Sequence, residues 1–75
     1  MTDLQCKTIQ NLYGPNRPID FLNSINHLLA WVWIIRYDTD TVTFGYDDHG
    51  QHKEITFHRS RIWVCPGYEY VQVLP

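Results

Sequence analysis

The residues best suited to chemistry lie between residues 47 and 65, where aspartates, histidines and a cysteine follow one another closely. Asp47, Asp48, His49 and His52 share one polar segment, and His58 follows in the next strand-like stretch. A metal site needs three or four such ligands at about 2.0–2.3 Å from one ion. The segment lacks the Cys-x-x-Cys and His-Glu-x-x-His spacings, and Asp and Gly commonly form turns. We therefore predict a hairpin loop here, with no metal and no cofactor.

Cys65 is the main candidate nucleophile, because His58 and Asp47 lie in the same half of the chain. It stands at a predicted strand end beside Pro66, without the neighbouring residues that mark catalytic cysteines. Cysteine also often serves as a small buried hydrophobic residue. The four glycines are isolated from one another, so the chain has no glycine-rich phosphate loop. We predict that the protein is not an enzyme and has no catalytic residues.

Large aromatic residues are a second candidate feature. Aromatic residues form 15% of the chain, and the alternating Val, Ile and Phe residues of the strands nearly fill the interior of a small fold. Some of the large rings must then lie outside, where they either pack under helices or remain exposed. Exposed Trp and Tyr beside Arg are typical of protein–protein interfaces, and the same residue types can stack on nucleic-acid bases. The predicted binding residues are Arg59, Arg61, Trp63, Tyr68 and Tyr70.

Two segments before residue 30 have helical spacing. Thr2 and Gln5 fit a capping box, and Gly14 with Pro15 forms a stop signal. Pro18 suits the first turn of a second helix, whose apolar residues recur at the spacing of one buried stripe. Those residues are Phe21, Leu22, Ile25, Leu28 and Leu29. Residues 1–29 are therefore predicted to be the helical part of the domain.

The hydrophobic period changes to two in the remaining part, residues 30–75. Turn residues divide it into five short strands at regular spacing, and we interpret Gly45 as a bulge within the second strand. The predicted fold is α+β, with two short N-terminal helices followed by a five-stranded antiparallel meander curled as a small SH3-like or Sm-like barrel. A chain of 75 residues forms a single domain, residues 1–75.

Residues 42–73 resemble the core of a WYL domain, which is itself an Sm-like barrel. The resemblance depends on a strand that ends in Tyr46, a turn at Gly50, the step HRSRI and the final strand YEYV. YEY stands where that family has a Trp-Tyr-Leu triplet. The resemblance implies an Sm-like fold and binding of regulatory ligands, often nucleic acid.

Charge and hydropathy restrict the partners further. The net charge is −2 and the pI is about 6.0, which disfavours nucleic acid because its non-specific binding needs clustered Lys and Arg. The longest apolar run, LLAWVWII, is too short to cross a bilayer, and the polar N-terminus is unlike a signal peptide. We therefore expect a cytoplasmic protein without a membrane partner. Whether Cys6 and Cys65 form a disulfide stays open.

Two functions follow from these features. The first is a small non-enzymatic interaction module, an inhibitor or adaptor of the phage type, that docks on a larger protein through an aromatic–arginine surface of its sheet. The alternative is an Sm-like domain that binds a ligand or single-stranded nucleic acid. A fold of this size buries only about 60% of its unfolded surface, so a homodimer is a further candidate assembly.

Overall fold

A computed structural model describes all 75 residues, which form one helix and one six-stranded sheet. The elements are α1 (Asp3–Leu12), β1 (Ile19–Leu22), β2 (Leu28–Tyr37), β3 (Thr41–Asp48), β4 (Gln51–His58), β5 (Ile62–Val64) and β6 (Tyr70–Val73). A 3-10 turn, Arg59–Arg61, links β4 to β5. The helix has ten residues, and the fold contains no helix with the length and apolar character needed to span a membrane.

The sheet is open and mixed, with strand order β4-β3-β2-β1-β6-β5. β1 to β4 pair antiparallel in succession, whereas β6 pairs in parallel with β1 and antiparallel with β5. The 3-10 turn carries the chain away from β4, so that β5 forms the opposite edge of the sheet. The prediction of two helices and a five-stranded antiparallel meander closed as an SH3-like or Sm-like barrel is therefore wrong. The general α+β class remains.

Helix α1 begins where its capping box predicts. The Gln5 amide donates to Thr2 Oγ1 at 3.1 Å, and the Thr2 amide donates to Gln5 Oε1 at 3.0 Å. These bonds satisfy two amide groups that a helix start otherwise leaves unpaired. Cys6 and Ile9 lie one turn apart on the face that packs against the sheet, and both are fully buried. The prediction of this first helix is confirmed.

The predicted second helix is wrong, because its first residues form β1 and its last residues begin β2. Between them, Asn23 Oδ1 accepts hydrogen bonds from the backbone amides of Ile25 and His27, at 3.0 and 2.9 Å. Asparagine commonly closes a turn in this way. Ile25 is 66% exposed, so the helical spacing of apolar residues did not mark one buried stripe. Strand pairing buries Ile19 and Phe21 instead.

The hydrophobic core lies between α1 and one face of the sheet, which we call the inner face. Phe44 is fully buried at its centre, with ring centroids 5.4 Å from Phe21 and 6.4 Å from Phe57 in edge-to-face geometry. The eleven residues of the core are Cys6, Ile9, Ile19, Phe21, Val32, Ile34, Val42, Phe44, Ile62, Val64 and Val71. The opposite side of the sheet is its outer face.

Gly45 does not mark a bulge. The pairing of β3 with β4 runs without interruption through Gly45 and Glu54, and the irregularity lies in β2 between Ile34 and Arg36. A Cβ atom at Gly45 would lie 2.8 Å from Cε2 of Trp33. Glycine is needed here because the Trp33 indole packs against the backbone of the neighbouring strand.

Candidate functional site

The outer face of the sheet presents tryptophan side chains opposite the helix. Val32 and Ile34 of β2 belong to the core that α1 covers, so the alternating Trp31 and Trp33 lie on the outer face. Trp31 is 59% exposed, whereas Trp33 is only 7% exposed. The outer face therefore holds at least one large ring that the chain itself does not bury.

Three adjacent strands place a carboxylate between two rings. Asp20 of β1 lies opposite Trp31 of β2 and beside Tyr70 of β6. Residues that pair directly across a sheet share a face, with Cβ atoms about 4.5–5.5 Å apart in an antiparallel pair. The Asp20 side chain is therefore flanked on the outer face by an indole and a phenol.

Trp63 extends this surface toward the β5 edge. It pairs with Gln72 of β6, which shares the outer face with Tyr70 two residues earlier. The ring centroids of Trp63 and Tyr70 are 5.9 Å apart, within the range of favourable aromatic pairs, and Trp63 is 41% exposed. We call Trp63, Tyr70, Asp20 and Trp31 the outer aromatic row.

A fork in the sheet lies beside Trp31. The pairing of β2 with β3 ends at Val32 and Tyr46, so the first residues of β2 pair only with β1, and Asp47 and Asp48 pair only with β4. The separation leaves a groove of about 390 Å³. Its lining combines aromatic rings and two carboxylates with aliphatic and proline side chains: Pro15, Pro18, Leu28, Leu29, Ala30, Trp31, Trp33, Tyr46, Asp47 and Asp48.

A second groove, also of about 390 Å³, opens on the inner side of the fork. Leu29, Ala30 and Tyr46 border both grooves, so the fork joins them. Ile55 of the edge strand β4 remains exposed here. All eight lining residues are hydrophobic: Phe21, Leu29, Ala30, Val32, Tyr46, Ile55, Phe57 and Val73.

The β1–β2 turn is tied to the outer face by Gln72. Its Nε2 donates to the Asn23 carbonyl and to Asn26 Oδ1, both at 2.9 Å. These bonds hold the turn against β6 while Ile25 stays exposed at its tip. The hydrogen bonds of Gln72 therefore hold the apolar tip in place relative to the outer aromatic row in the unbound protein.

Arg59, a predicted binding residue, makes its contacts within the chain. Its guanidinium donates to the carbonyl oxygens of Asp38 at 2.6 Å and Met1 at 3.0 Å, and it pairs with Asp3 Oδ1 at 2.7 Å. The hydrogen bond with Asp3 raises the pKa of Arg59 above its ordinary value. The residue is buried, and it joins the N-terminal segment to the β2–β3 turn.

The other predicted binding residues occupy separate positions. The structure brings Trp63 and Tyr70 into contact on the outer face. Arg61 is exposed in the 3-10 turn, where its Nη2 donates to the Leu74 carbonyl at 3.1 Å. Tyr68 is half-buried against the core, and its carbonyl accepts a hydrogen bond from the Tyr13 hydroxyl.

Two residues of the outer aromatic row were absent from the predicted site. The sequence predicts that some large rings lie outside the core but does not single out Trp31, and Asp20 lies in the segment wrongly predicted as the second helix. The alternating burial of Ile19, Asp20 and Phe21 is a strand signal. Three alternating residues are too few for this signal to outweigh the helical spacing of the longer segment.

His52 and Cys6 are not part of the outer aromatic row, whereas the Cys65 amide donates to the carbonyl of Tyr70, a member of that row, at 3.1 Å. The His52 ring lies beside the Trp33 indole, with centroids 5.5 Å apart and planes tilted by 31°, and no three His, Cys, Asp or Glu side chains form a grouping suited to a metal ion. Cys6 and Cys65 are free thiols. Burial raises the pKa of the Cys6 thiol, which lowers its reactivity because the thiolate is the nucleophilic form.

Comparison of the chain with protein-family models, curated proteins and solved structures found no match. The resemblance to WYL domains therefore stays a prediction.

Proposed function

We propose that the protein is a small non-enzymatic interaction module that docks on a larger protein through its outer face. The observation that carries this proposal is the exposure of Trp31 and Trp63 on the face opposite α1. Tryptophan and tyrosine are enriched among the residues that dominate binding energy at interfaces. Burying one such ring removes roughly 150–250 Å² from water.

An inhibitor or adaptor is the type of module we favour. Such a protein acts by occupying a surface of its partner, and it needs a fixed shape more than reactive groups. Gln72 supplies such fixation by holding the β1–β2 turn beside the outer aromatic row. Preorganisation of this kind reduces the entropy lost on binding.

Single-stranded nucleic acid suits this surface less well. Asp20 lies between the rings on which bases would stack, and its negative charge repels phosphate. Arg59, which could have neutralised phosphate, is buried and bonded within the chain. The proposed partner is therefore a protein.

Affinity capture from cell lysate tests the proposal. Wild type and Trp63→Ala are compared, with Ile55→Ala as the matched control, because Ile55 and Trp63 are both 41% exposed and Ile55 lies at the inner groove. We expect Trp63→Ala to lose a stoichiometric protein partner that wild type and Ile55→Ala retain. Retention of the same partner by Trp63→Ala, or equal loss in both variants, would contradict the proposal.

A further inference from the structure

We propose that the outer aromatic row binds an arginine side chain in a basic segment of the partner protein. This inference rests on the proposed function and specifies the chemistry of the partner. The site consists of the Asp20 carboxylate with Trp31 on one side and Tyr70 on the other.

Asp20 carries a charge that the chain does not neutralise. It is exposed, and none of the ion pairs of the protein involves it. It also accepts no side-chain hydrogen bond from the neighbouring strands, whose residues at this level are Trp31 and Tyr70. An exposed carboxylate between two aromatic side chains is complementary to a cation that can also contact rings.

The spacing of the strands suits a flat cation. Neighbouring strands lie about 4.7–4.9 Å apart. Asp20 lies on the strand between those of Trp31 and Tyr70, so each aromatic residue is one strand spacing from the carboxylate residue. A guanidinium group can stack on an aromatic face while its N–H groups point at a carboxylate. Two parallel hydrogen bonds then join it to the carboxylate. The ammonium group of lysine is a compact point charge that does not stack in this way.

A second carboxylate extends the acidic surface past Trp31. Asp47 lines the groove at the fork, and its side chain is 65% exposed. Its nearest basic neighbour is His52, at 3.9 Å, which carries charge only when protonated. The partner segment is therefore expected to be basic, with apolar residues next to its arginine that reach the groove.

A set of blocked peptides tests the inference. The peptides are identical except for a central arginine, lysine or citrulline, which has nearly the shape of arginine without its charge. Nuclear magnetic resonance of the full chain follows the indole N–H signals of Trp31 and Trp63. We expect the arginine peptide to bind most tightly, the lysine peptide more weakly, and the citrulline peptide weakest. Equal binding of the arginine and citrulline peptides would overturn the inference.

Asp20→Asn removes the charge and keeps the side-chain size. We expect it to weaken binding of the arginine peptide by about tenfold, which is at the low end for a hydrogen-bonded charge, and added salt should weaken the wild-type interaction. Asp40→Asn is the matched control, because Asp40 is exposed in the β2–β3 turn. Thermal unfolding verifies that both variants fold. Unchanged affinity in folded Asp20→Asn would overturn the inference.

Other occupants of the row give different results. Displacement of the arginine peptide by single-stranded oligonucleotide, or a dimer in sedimentation experiments whose contact covers Trp31, would overturn the inference. If partner capture depends on Trp63 and the peptides show no preference for arginine, this inference fails while the proposed function stands. If arginine is preferred and capture does not depend on Trp63, the proposed function fails instead.

Discussion

Trp33 differs from the other two tryptophans because Gly45 leaves room for its ring. The indole fills the space that a side chain at residue 45 would take, and its centroid lies 5.5 Å from that of the His52 ring. One of the three indoles is thereby used for stability. Only Trp31 and Trp63 then remain exposed for contact with a partner.

Gly45→Ala tests this use of Trp33. The added methyl group would lie 2.8 Å from Trp33 Cε2 and 2.9 Å from Ile35 Cδ1, so the ring must move toward solvent. We expect a lower Tm and a red shift in tryptophan fluorescence. Gly14→Ala is the control, because no atom lies within 4 Å of its new methyl group. An unchanged spectrum for Gly45→Ala would show that the indole can adjust without exposure.

The Asp38 carboxylate makes the stability of the β2–β3 turn depend on pH. Its Oδ1 accepts hydrogen bonds from the Thr41 amide at 2.7 Å and the Asp40 amide at 2.9 Å. These bonds lower the pKa of Asp38 below its ordinary value of 3.8, and the hydrogen bond from the Thr41 amide has the largest effect. Because the folded pKa is depressed, this stabilisation is present above the ordinary pKa and disappears as pH falls through the folded value.

Asp38→Asn separates charge from hydrogen bonding, since asparagine still offers an acceptor oxygen at every pH. We expect wild type to exceed Asp38→Asn in Tm near neutral pH, and the difference to shrink under strongly acidic conditions. Thermal unfolding of both proteins over the acidic range measures it. A difference that stays constant with pH would exclude this role for the Asp38 charge.

At the scale of elements, local signals predict α1 well and the β1–β2 hairpin poorly. The capping box of Thr2 and Gln5 involves neighbours in sequence, so it can be read directly. The hairpin depends on partners far away, because Gln72 holds its turn and β6 pairs with β1. The apolar spacing of residues 21–29 fits a helix equally well, and tertiary contacts decide the outcome.

Gln72→Ala tests this dependence. Loss of the two hydrogen bonds to Asn23 and Asn26 should destabilise the fold by about 1–2 kcal/mol, since each bond contributes roughly 0.5–1.5 kcal/mol. Hydrogen exchange at the His27 amide should accelerate. Gln10→Ala is the control, because Gln10 is exposed and donates only one long bond, of 3.4 Å. Equal exchange rates at His27 in wild type and Gln72→Ala would show that the turn holds itself.

Of the candidate site, only Trp63 and Tyr70 could be predicted, because they lie close together in the last part of the sequence. Trp63 and Tyr70 lie seven positions apart, and an alternating strand pattern puts each on the outer side. Asp20, the neighbour of Tyr70, belongs to a strand about fifty residues earlier. No periodicity within one segment reveals such a parallel pairing.

At the scale of the whole molecule, one strand unites the two halves of the sheet. β6 lies between β1 and β5, and its Val71 is fully buried. The antiparallel meander that alternation predicts contains no parallel pair, so it does not account for the pairing of this strand with β1. The parallel pairing with β1 instead makes one core from the two ends of the sequence.

Val71→Ala measures the importance of that junction. Removing a fully buried part of a side chain should cost about 2 kcal/mol, a large share of the roughly 4–11 kcal/mol expected for a domain of this size. We expect one cooperative transition in urea at a lower midpoint. Val73→Ala, at a half-buried position of the same strand, should cost less. Two separate transitions in wild type would show that the halves unfold independently.

The central place of β6 also has a consequence during protein synthesis. Until the ribosome has released Val71, β1 lacks its parallel neighbour and β5 has no partner strand at all. Trp33 can pack against Gly45 as soon as β3 has formed, whereas the pairing of β1 and β5 with β6 has to wait for this segment. The contacts that join β5 and β6 to the rest of the sheet are therefore the last of these strand pairings to form.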